Sequence, residues 1–549
     1  MDLPLHYRIV ILGLLLLAGY FAPRLGDRWF RGIERRAAQS ARKRGAVVVA
    51  IGVATLVLRL LLLAVLPVPV PAAHDEFSYL LAADTFVHGR LANPPHPMGL
   101  FLETFHVLQQ PTYASVYPPA QGAALAVGQL LGNPWIGVLV STAGMCAAIT
   151  WALQGWMPAA WALLGGVLAL LEIGLFTYWM DSYWGGSVAA LGGALVIGAL
   201  PRITRRPQVR HAILLGIGVA VLANSRPLEG FIFCIPVGVA LVMGLLSPHS
   251  RGPRTTASRV LVPLLCVLAL TMTFMGYYNW RVTQNPFVLP RALYQRERLN
   301  FPAFLWDSAR TPLHYSNPQF EEFYNALTPE LYSESWARLS WEKLHDGCQF
   351  FVGAVLWVPL AACPWMLRDR RIRLPLIQLA WCALGLGVVR YFLPHYAAPM
   401  TATIIILLVQ AMRHLRHCTI QGRPVGIFLT RLVVLLLLAT NSTVEAYRFP
   451  RLDWRLDRAR MVKALEATPG RHLVIVRYAP NHFVHFEWVY NGADIDHSKI
   501  VWARQIPEKD VSPLLDYFRD RHVWMLEADA PIPKLEDYRA QKAGPVTPF

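Results

Sequence analysis

Apolar residues in this chain come in long runs rather than in the alternating or three-and-four patterns of a soluble fold. Runs of a length that can cross a bilayer recur as far as residue 440, and about twelve membrane-spanning helices are predicted from them. They are Tyr7 to Phe21, Ala46 to Leu66, Trp135 to Leu153, Pro158 to Phe176, Gly185 to Leu200, Ala212 to Ala223, Phe231 to Leu246, Val260 to Tyr278, Cys348 to Leu367, Leu374 to Val389, Ala397 to Met412 and Val425 to Thr440. The run from Ala212 is short and reads as a broken or partly re-entrant helix covered by its neighbours. After Asn441 the pattern changes. From Tyr447 it predicts a charged helix (Asp453 to Ala467), a strand HLVIVRY after the Pro469 to Gly470 break, a strand KIVWARQI, a helix (Ser512 to Arg519) and a strand HVWMLE. The expected architecture is an all-α polytopic membrane domain over 1–445, with outer loops 68–134 and 281–346, and a small soluble α/β domain over 446–549.

Composition agrees: of 549 residues 55% are hydrophobic and 15% charged, with mean hydropathy +0.37. Five connecting segments, Arg24 to Arg44, Pro201 to Arg210, Ser247 to Arg259, Arg368 to Arg373 and Arg413 to Pro424, hold 22 Lys and Arg against the acids Asp27, Glu34 and Asp369. They account for the whole net charge of +17, so the basic balance reads as cytoplasmic anchoring and not as a nucleic-acid surface. The other loops, both termini and the tail are then expected outside the cytoplasm, with Tyr7 to Phe21 kept as a span because Arg24 opens a basic loop where a cleavage site would stand. No cysteine falls in the outer loops or the tail, and the cysteine spacing suggests neither a disulfide framework nor a zinc site.

The polar residues that invite chemistry cluster at the outer ends of spans. His74, Asp75 and Glu76 stand together where the chain leaves the run ending at Leu66. Two carboxylates at an interface suit a general base, and Asp and Glu equally suit the first turn of the helix EFSYLLAADTF. The segment that follows, NPPHPMGLFLETFHVLQQPTYASVYPP, is far longer than a connection between spans requires. Asp181, in TYWMDSYWGGS, is either a substrate or cation ligand or an interfacial turn residue. Arg59 and Glu172, inside predicted spans, read as members of buried pairs. In the tail, His482, His485, Glu487, Asp494 and Asp496 match no standard ligand spacing and read as surface loop residues.

An outer loop opening with Asp75-Glu76, an amphipathic helix and then Tyr-Pro-Pro before the next helix resembles the C-type (GT-C) integral-membrane glycosyltransferases. Within them it is most similar to the protein mannosyltransferases and the bacterial aminoarabinose-transferase-like enzymes. SRPLEG, with Arg226, resembles the family's cation-Pro turn, and RYFLPHYAAPM resembles its Arg-Tyr-x-x-Pro segment. The likeness spans Ala46 to Met412 in topology and only these motifs in residue identity. It implies a multi-pass protein of a bacterial inner membrane, with its active site and tail on the periplasmic side. It implies transfer of a sugar from a polyprenyl-phosphate carrier to a lipid, glycan or protein acceptor. Asp75 would be the general base and Glu76 its understudy. Arg226 and Arg390 would hold the lipid phosphate, with Tyr391 and His395 beside them and His74 near the substrate. No cofactor is called for, and a divalent cation is left open. A transporter or flippase for a lipid-linked substrate is the alternative, weakened by the lack of any visible internal repeat.

Overall fold

The structure is a computed structural model that describes residues 13–14, 17–246, 257–299, 302–308, 313–333, 335–444, 453–507 and 509–538. The expected first span Tyr7 to Phe21, the basic segment Ser247 to Arg259 and the boundary at 445–446 lie largely outside them. Among the described residues six helices are long and apolar enough to cross a membrane: Arg44–Ala64, Pro134–Trp156, Ser187–Arg205, Pro227–Leu245, Ser258–Thr283 and Pro394–Leu415. Three shorter apolar helices accompany them, Ala159–Gly174, Val209–Ala223 and Val425–Ala439.

We label the helices used below α1 (Asp27–Ala41), α2 (Arg44–Leu61), α3 (His74–Val87), α4 (Pro119–Leu130), α5 (Pro134–Trp156), α6 (Ala159–Ala169), α7 (Ser187–Arg205), α8 (Val209–Ala223), α9 (Pro227–Leu246), α10 (Val262–Thr283), α11 (Pro290–Arg298), α12 (Pro318–Ser333), α13 (Trp336–Phe351), α14 (Arg373–Gly387), α15 (Thr401–Leu415), α16 (Val425–Val444) and α17 (Asp453–Ala467). Proline opens α4, α5, α9, α11 and α12, where its missing N–H costs nothing. The Asn133 side chain accepts the Trp135 N–H at 2.9 Å and caps α5. Helices α5 and α7 are largely buried in the bundle, whereas α10 turns Leu265, Leu270 and Met272 outward.

Two departures from the sequence reading have local causes. Cys348 to Leu367 is not one span: α13 ends at Phe351, Gly353 takes a left-handed φ of 55°, and single turns follow at Trp357–Leu360 and Cys363–Met366, each carrying a proline. The helix from Val209 to Ala223 is short but unbroken, since α7 and α10 pack along it.

At the basic end, Arg431 of α16 pairs with Asp27 at 2.8 Å and Glu34 at 2.9 Å, and Arg416 pairs with Glu34 at 2.9 Å, which ties α1 to the last helices. The long loop and the tail gather at the opposite end. Strands β1 (Val107–Leu108) and β2 (Ala114–Ser115) form a short hairpin beside α3. The tail forms a four-stranded sheet in the order β4-β3-β5-β6: β3 (His472–Arg477) lies parallel to β4 (Ile500–Arg504) and β5 (His522–Glu527), and β6 (Leu535–Asp537) runs antiparallel to β5. The run Leu473 to Val476 is buried throughout, as expected for a parallel strand covered on both faces. The tail shares its apolar core with the loop. Leu81, Phe101 and Tyr113 pack with Leu473, Ile475 and Ile495, and Phe77 packs with Trp488 and Tyr490.

Candidate active site

Helix α3 carries the acidic pair, and its first turn separates the two carboxylates by role. Glu76 is buried, and it accepts the N–H groups of Ala72 and Ala73 at 2.7 and 2.8 Å through one oxygen and that of Tyr183 at 2.9 Å through the other. It closes the start of α3 on itself and clamps that start to the 177–186 turn. Burial pushes its proton affinity up, and the three backbone N–H groups oppose that. Asp75 has none of these bonds. It takes the Tyr117 hydroxyl as donor, and Tyr117 stacks on Tyr79 with ring centroids 4.5 Å apart.

Two guanidinium groups lie over tyrosine rings in this region, Arg226 over Tyr396 and Arg291 over Tyr117. Arg226, at the start of α9, sits 4.4 Å from the Tyr396 ring centre and 3.8 Å from the Glu229 carboxylate. Arg291, in the first turn of α11, lies 5.8 Å from the Tyr117 ring, and its Nη1 is buried without a hydrogen-bond partner. Asp75, Arg226 and Arg291 all lie within electrostatic range of Tyr396. An arginine with an unmatched buried N–H is under strain that an anion would relieve. A small cleft lined mainly by apolar atoms, including those of Val116, Pro227, Met275, Tyr278 and Leu289, also has Arg291 in its lining.

The segment Pro394–Met400 lies against α7 because Gly193 has no side chain: a Cβ there would come 2.0 Å from the Pro399 carbonyl oxygen. His395 on that segment donates its backbone N–H to the Tyr178 hydroxyl at 3.1 Å and shares a 2.8 Å bond between Nδ1 and the same hydroxyl. Tyr391 is half exposed and lies within range of Asp75 and Arg291. Arg390 is aimed elsewhere. Its backbone N–H bonds the Ala303 carbonyl at 2.9 Å, and its guanidinium reaches the carbonyls of Phe304 and Leu305 at 3.3 Å each.

His74 is buried with its ring 4.3 Å from Phe105, and its Nδ1 shares a 2.9 Å bond with the Tyr490 hydroxyl of the tail. Burial, helped by His106 and His485, holds it well below the usual imidazole value, so it is neutral at pH 7. Asp181 is ion-paired to the fully buried Arg59 at 2.7 Å, and Arg59 also bonds the Leu66 carbonyl at 2.8 Å and lies over Trp135. In the tail, His482 bonds Asp529 at 2.7 Å and Glu487 pairs with buried Arg504. Among the described residues no group of three His, Cys, Asp or Glu is arranged to hold a metal ion.

The site therefore joins Asp75, Arg226, Tyr391 and His395, which the sequence singled out, to Arg291, Tyr117 and Tyr178, which it did not. Tyr117 lay in the quoted Tyr-Pro-Pro motif without a role. Arg291 had no signal of its own, being one of three arginines in PRALYQRER.

No family model and no curated protein matches the chain. Solved structures do. The oligosaccharyltransferase of Archaeoglobus fulgidus in its apo form aligns over 81% of this chain and 63% of its own, at 11% identity and a TM-score of 0.50. ArnT from Cupriavidus metallidurans, also apo, aligns over 88% of this chain and 93% of its own, at 12% identity and a TM-score of 0.47. The chain spans less than two thirds of the oligosaccharyltransferase's length. The fold is that of the Archaeoglobus fulgidus oligosaccharyltransferase, a membrane fold of the kind the sequence resemblance implied.

Proposed function

We propose that this chain transfers a sugar from a polyprenyl-phosphate carrier to an acceptor at the outer, periplasmic face of a bacterial inner membrane. The observation that supports the reading is the cluster around Tyr117: its hydroxyl bonds Asp75, Arg291 lies 5.8 Å from its ring with an unmatched buried N–H, and Arg226 lies 4.4 Å from the ring of Tyr396. The acceptor hydroxyl attacks the anomeric carbon and gives its proton to the Asp75 carboxylate. The bond from that carbon to the phosphate oxygen breaks, and its electron pair leaves with the polyprenyl phosphate. The charge gained by the phosphate is met by Arg226 and Arg291, donors whose side chains are largely withdrawn from the surface. Tyr117 holds Asp75 in place. Glu76 positions the start of α3, and Arg390 fixes the 303–305 backbone beside Tyr391.

The experiment is turnover of a labelled polyprenyl-phosphate sugar by the purified chain in lipid, followed as released polyprenyl phosphate. Arg291→Ala should weaken use of the donor by at least about tenfold, one charge-assisted contact, and Arg291→Lys should restore it only in part. Wild-type use of the donor by both variants would remove Arg291 from the site. Movement of the lipid-linked sugar across the membrane with no transfer detected would favour the transporter reading.

A further inference from the structure

Between the helical residues 17–21 and the span Arg44–Ala64 the chain makes one more helix, α1. Gly26, at a left-handed φ of 69°, turns the chain into it, and Arg42 and Lys43 separate it from α2. One face of α1 is committed to the bundle: Asp27 and Glu34 pair with Arg431 there, and Arg431 lies 5.1 Å from the Phe30 ring centre. From Val425, where α16 opens, to Arg431 is a rise of roughly 9 Å at 1.5 Å per residue, inside the apolar helix Val425–Ala439. Helix α1 also packs on α6, which begins the apolar helix Ala159–Gly174. It therefore stands at the level of the apolar helices and not beyond their ends.

The other two faces of α1 are exposed and unlike each other. Trp29 and Ile33, one turn apart, are 80% and 64% exposed, and Phe21 and Leu25 ahead of the helix are exposed as well. Arg28, Arg31 and Arg35, at spacings of three and four, form a second exposed face roughly 140° round the helix from that pair. Asp27 and Glu34 are the only acids between positions 24 and 44, and both are held by Arg31, Arg416 and Arg431. Arg28, Arg35 and Arg36 are exposed with no further acid in the segment to balance them. A helix with a Trp-bearing apolar flank and an arginine flank, at the level of apolar helices, has the chemistry of one lying in the plane of a bilayer interface. The unbalanced positive charge selects the sign of the lipid.

We propose that α1 lies in the bilayer interface at the basic end of the bundle, with Trp29 and Ile33 among acyl chains and Arg28, Arg35 and Arg36 on the phosphate groups of anionic lipids. Through the pairs of Asp27 and Glu34 with Arg431 it ties α16, the last helix before the tail, to that leaflet. The proposal rests on the bundle spanning a membrane and not on the sugar-transfer reading.

The test uses the full chain in vesicles of phosphatidylcholine with phosphatidylglycerol. The photoreactive residue p-benzoylphenylalanine is placed at Ile33, at Leu270 on the outward face of α10, or at exposed His497 of the tail, and adducts are read by mass spectrometry. Positions 33 and 270 should join acyl chains and position 497 should not. No lipid adduct at position 33, or a link from it to a second copy of the chain instead, would overturn the placement. Phosphatidylglycerol kept by the detergent-purified chain in preference to phosphatidylcholine is then counted by native mass spectrometry. R28Q/R35Q/R36Q should hold it at least about tenfold more weakly than wild type, and R28K/R35K/R36K, which keeps the charge, should hold it as wild type does. R205Q/R206Q/R210Q removes three exposed arginines elsewhere at the basic end and should lose far less. Undiminished retention by R28Q/R35Q/R36Q, or an equal loss in either of the other two variants, would overturn the assignment to anionic lipid.

Discussion

At the scale of single residues, two adjacent carboxylates differ in their partners: Glu76 is held by three backbone N–H groups, and Asp75 accepts the Tyr117 hydroxyl. Glu76 meets three backbone N–H groups, so Glu76→Gln puts an amide NH2 against a donor and should cost about 1–3 kcal/mol. A lowered thermal midpoint, with residual turnover in the protein that remains folded, is the expected result. Asp75 has no such bonds to lose, and Asp75→Asn should leave the midpoint near that of wild type. The sequence ranked Asp75 above Glu76 only through the family resemblance and carried no sign of the bonds that hold Glu76, because one of them comes from Tyr183, more than a hundred positions away. The same limit applies to the arginines. Arg226 stood in a recognisable turn, Arg390 stood in one as well but meets the 303–305 carbonyls, and burial of Arg291 depends on how α11 docks.

At the scale of elements, α3 is stitched to everything around it. Asp84 accepts from Gln129 of α4 at 2.9 Å and from the Ala493 N–H of the tail at 2.6 Å, so Asp84→Ala should loosen the tail, seen as faster proteolysis near Ala493. Around His74 are His106, His485, Asp75 and Arg504, and burial holds both His74 and His106 well below the ordinary value of 6.5. The unfolded chain takes up protons below that value which the folded chain refuses. Stability is therefore full above pH 6.5 and is lost as pH falls below it, by up to about 1.4 kcal/mol per pH unit for each ring. His106→Asn, which tolerates the left-handed φ of 58°, should flatten the fall of the thermal midpoint between neutral and acid pH. The bounds of α17 and of the strand HVWMLE were read directly from sequence, the first from its charged helical pattern ahead of the Pro469 to Gly470 break and the second from its short apolar run. The break after Phe351 was not, because Gly353 and the two prolines sit in a run whose hydropathy stays high.

At the scale of the molecule, the charge pattern and the structure divide the chain into a basic end and an end bearing the loop, the site and the tail. If the basic end is cytoplasmic, a cysteine placed at exposed His497 should react with an impermeant reagent in cells whose outer membrane has been made permeable, while one at exposed Arg206 should stay protected. The spanning character was legible from composition alone. The joint core of tail and loop was not, since pairs such as Phe77 with Tyr490 join residues far apart in sequence. The central claim, that this end of the bundle moves a sugar off a polyprenyl phosphate with Asp75 as the base, is tested most directly by single-turnover transfer with purified wild type and Asp75→Asn, alongside donor binding. The account predicts that the variant binds the donor as wild type does and releases polyprenyl phosphate at least about a hundredfold more slowly. Release at the wild-type rate by Asp75→Asn would contradict it.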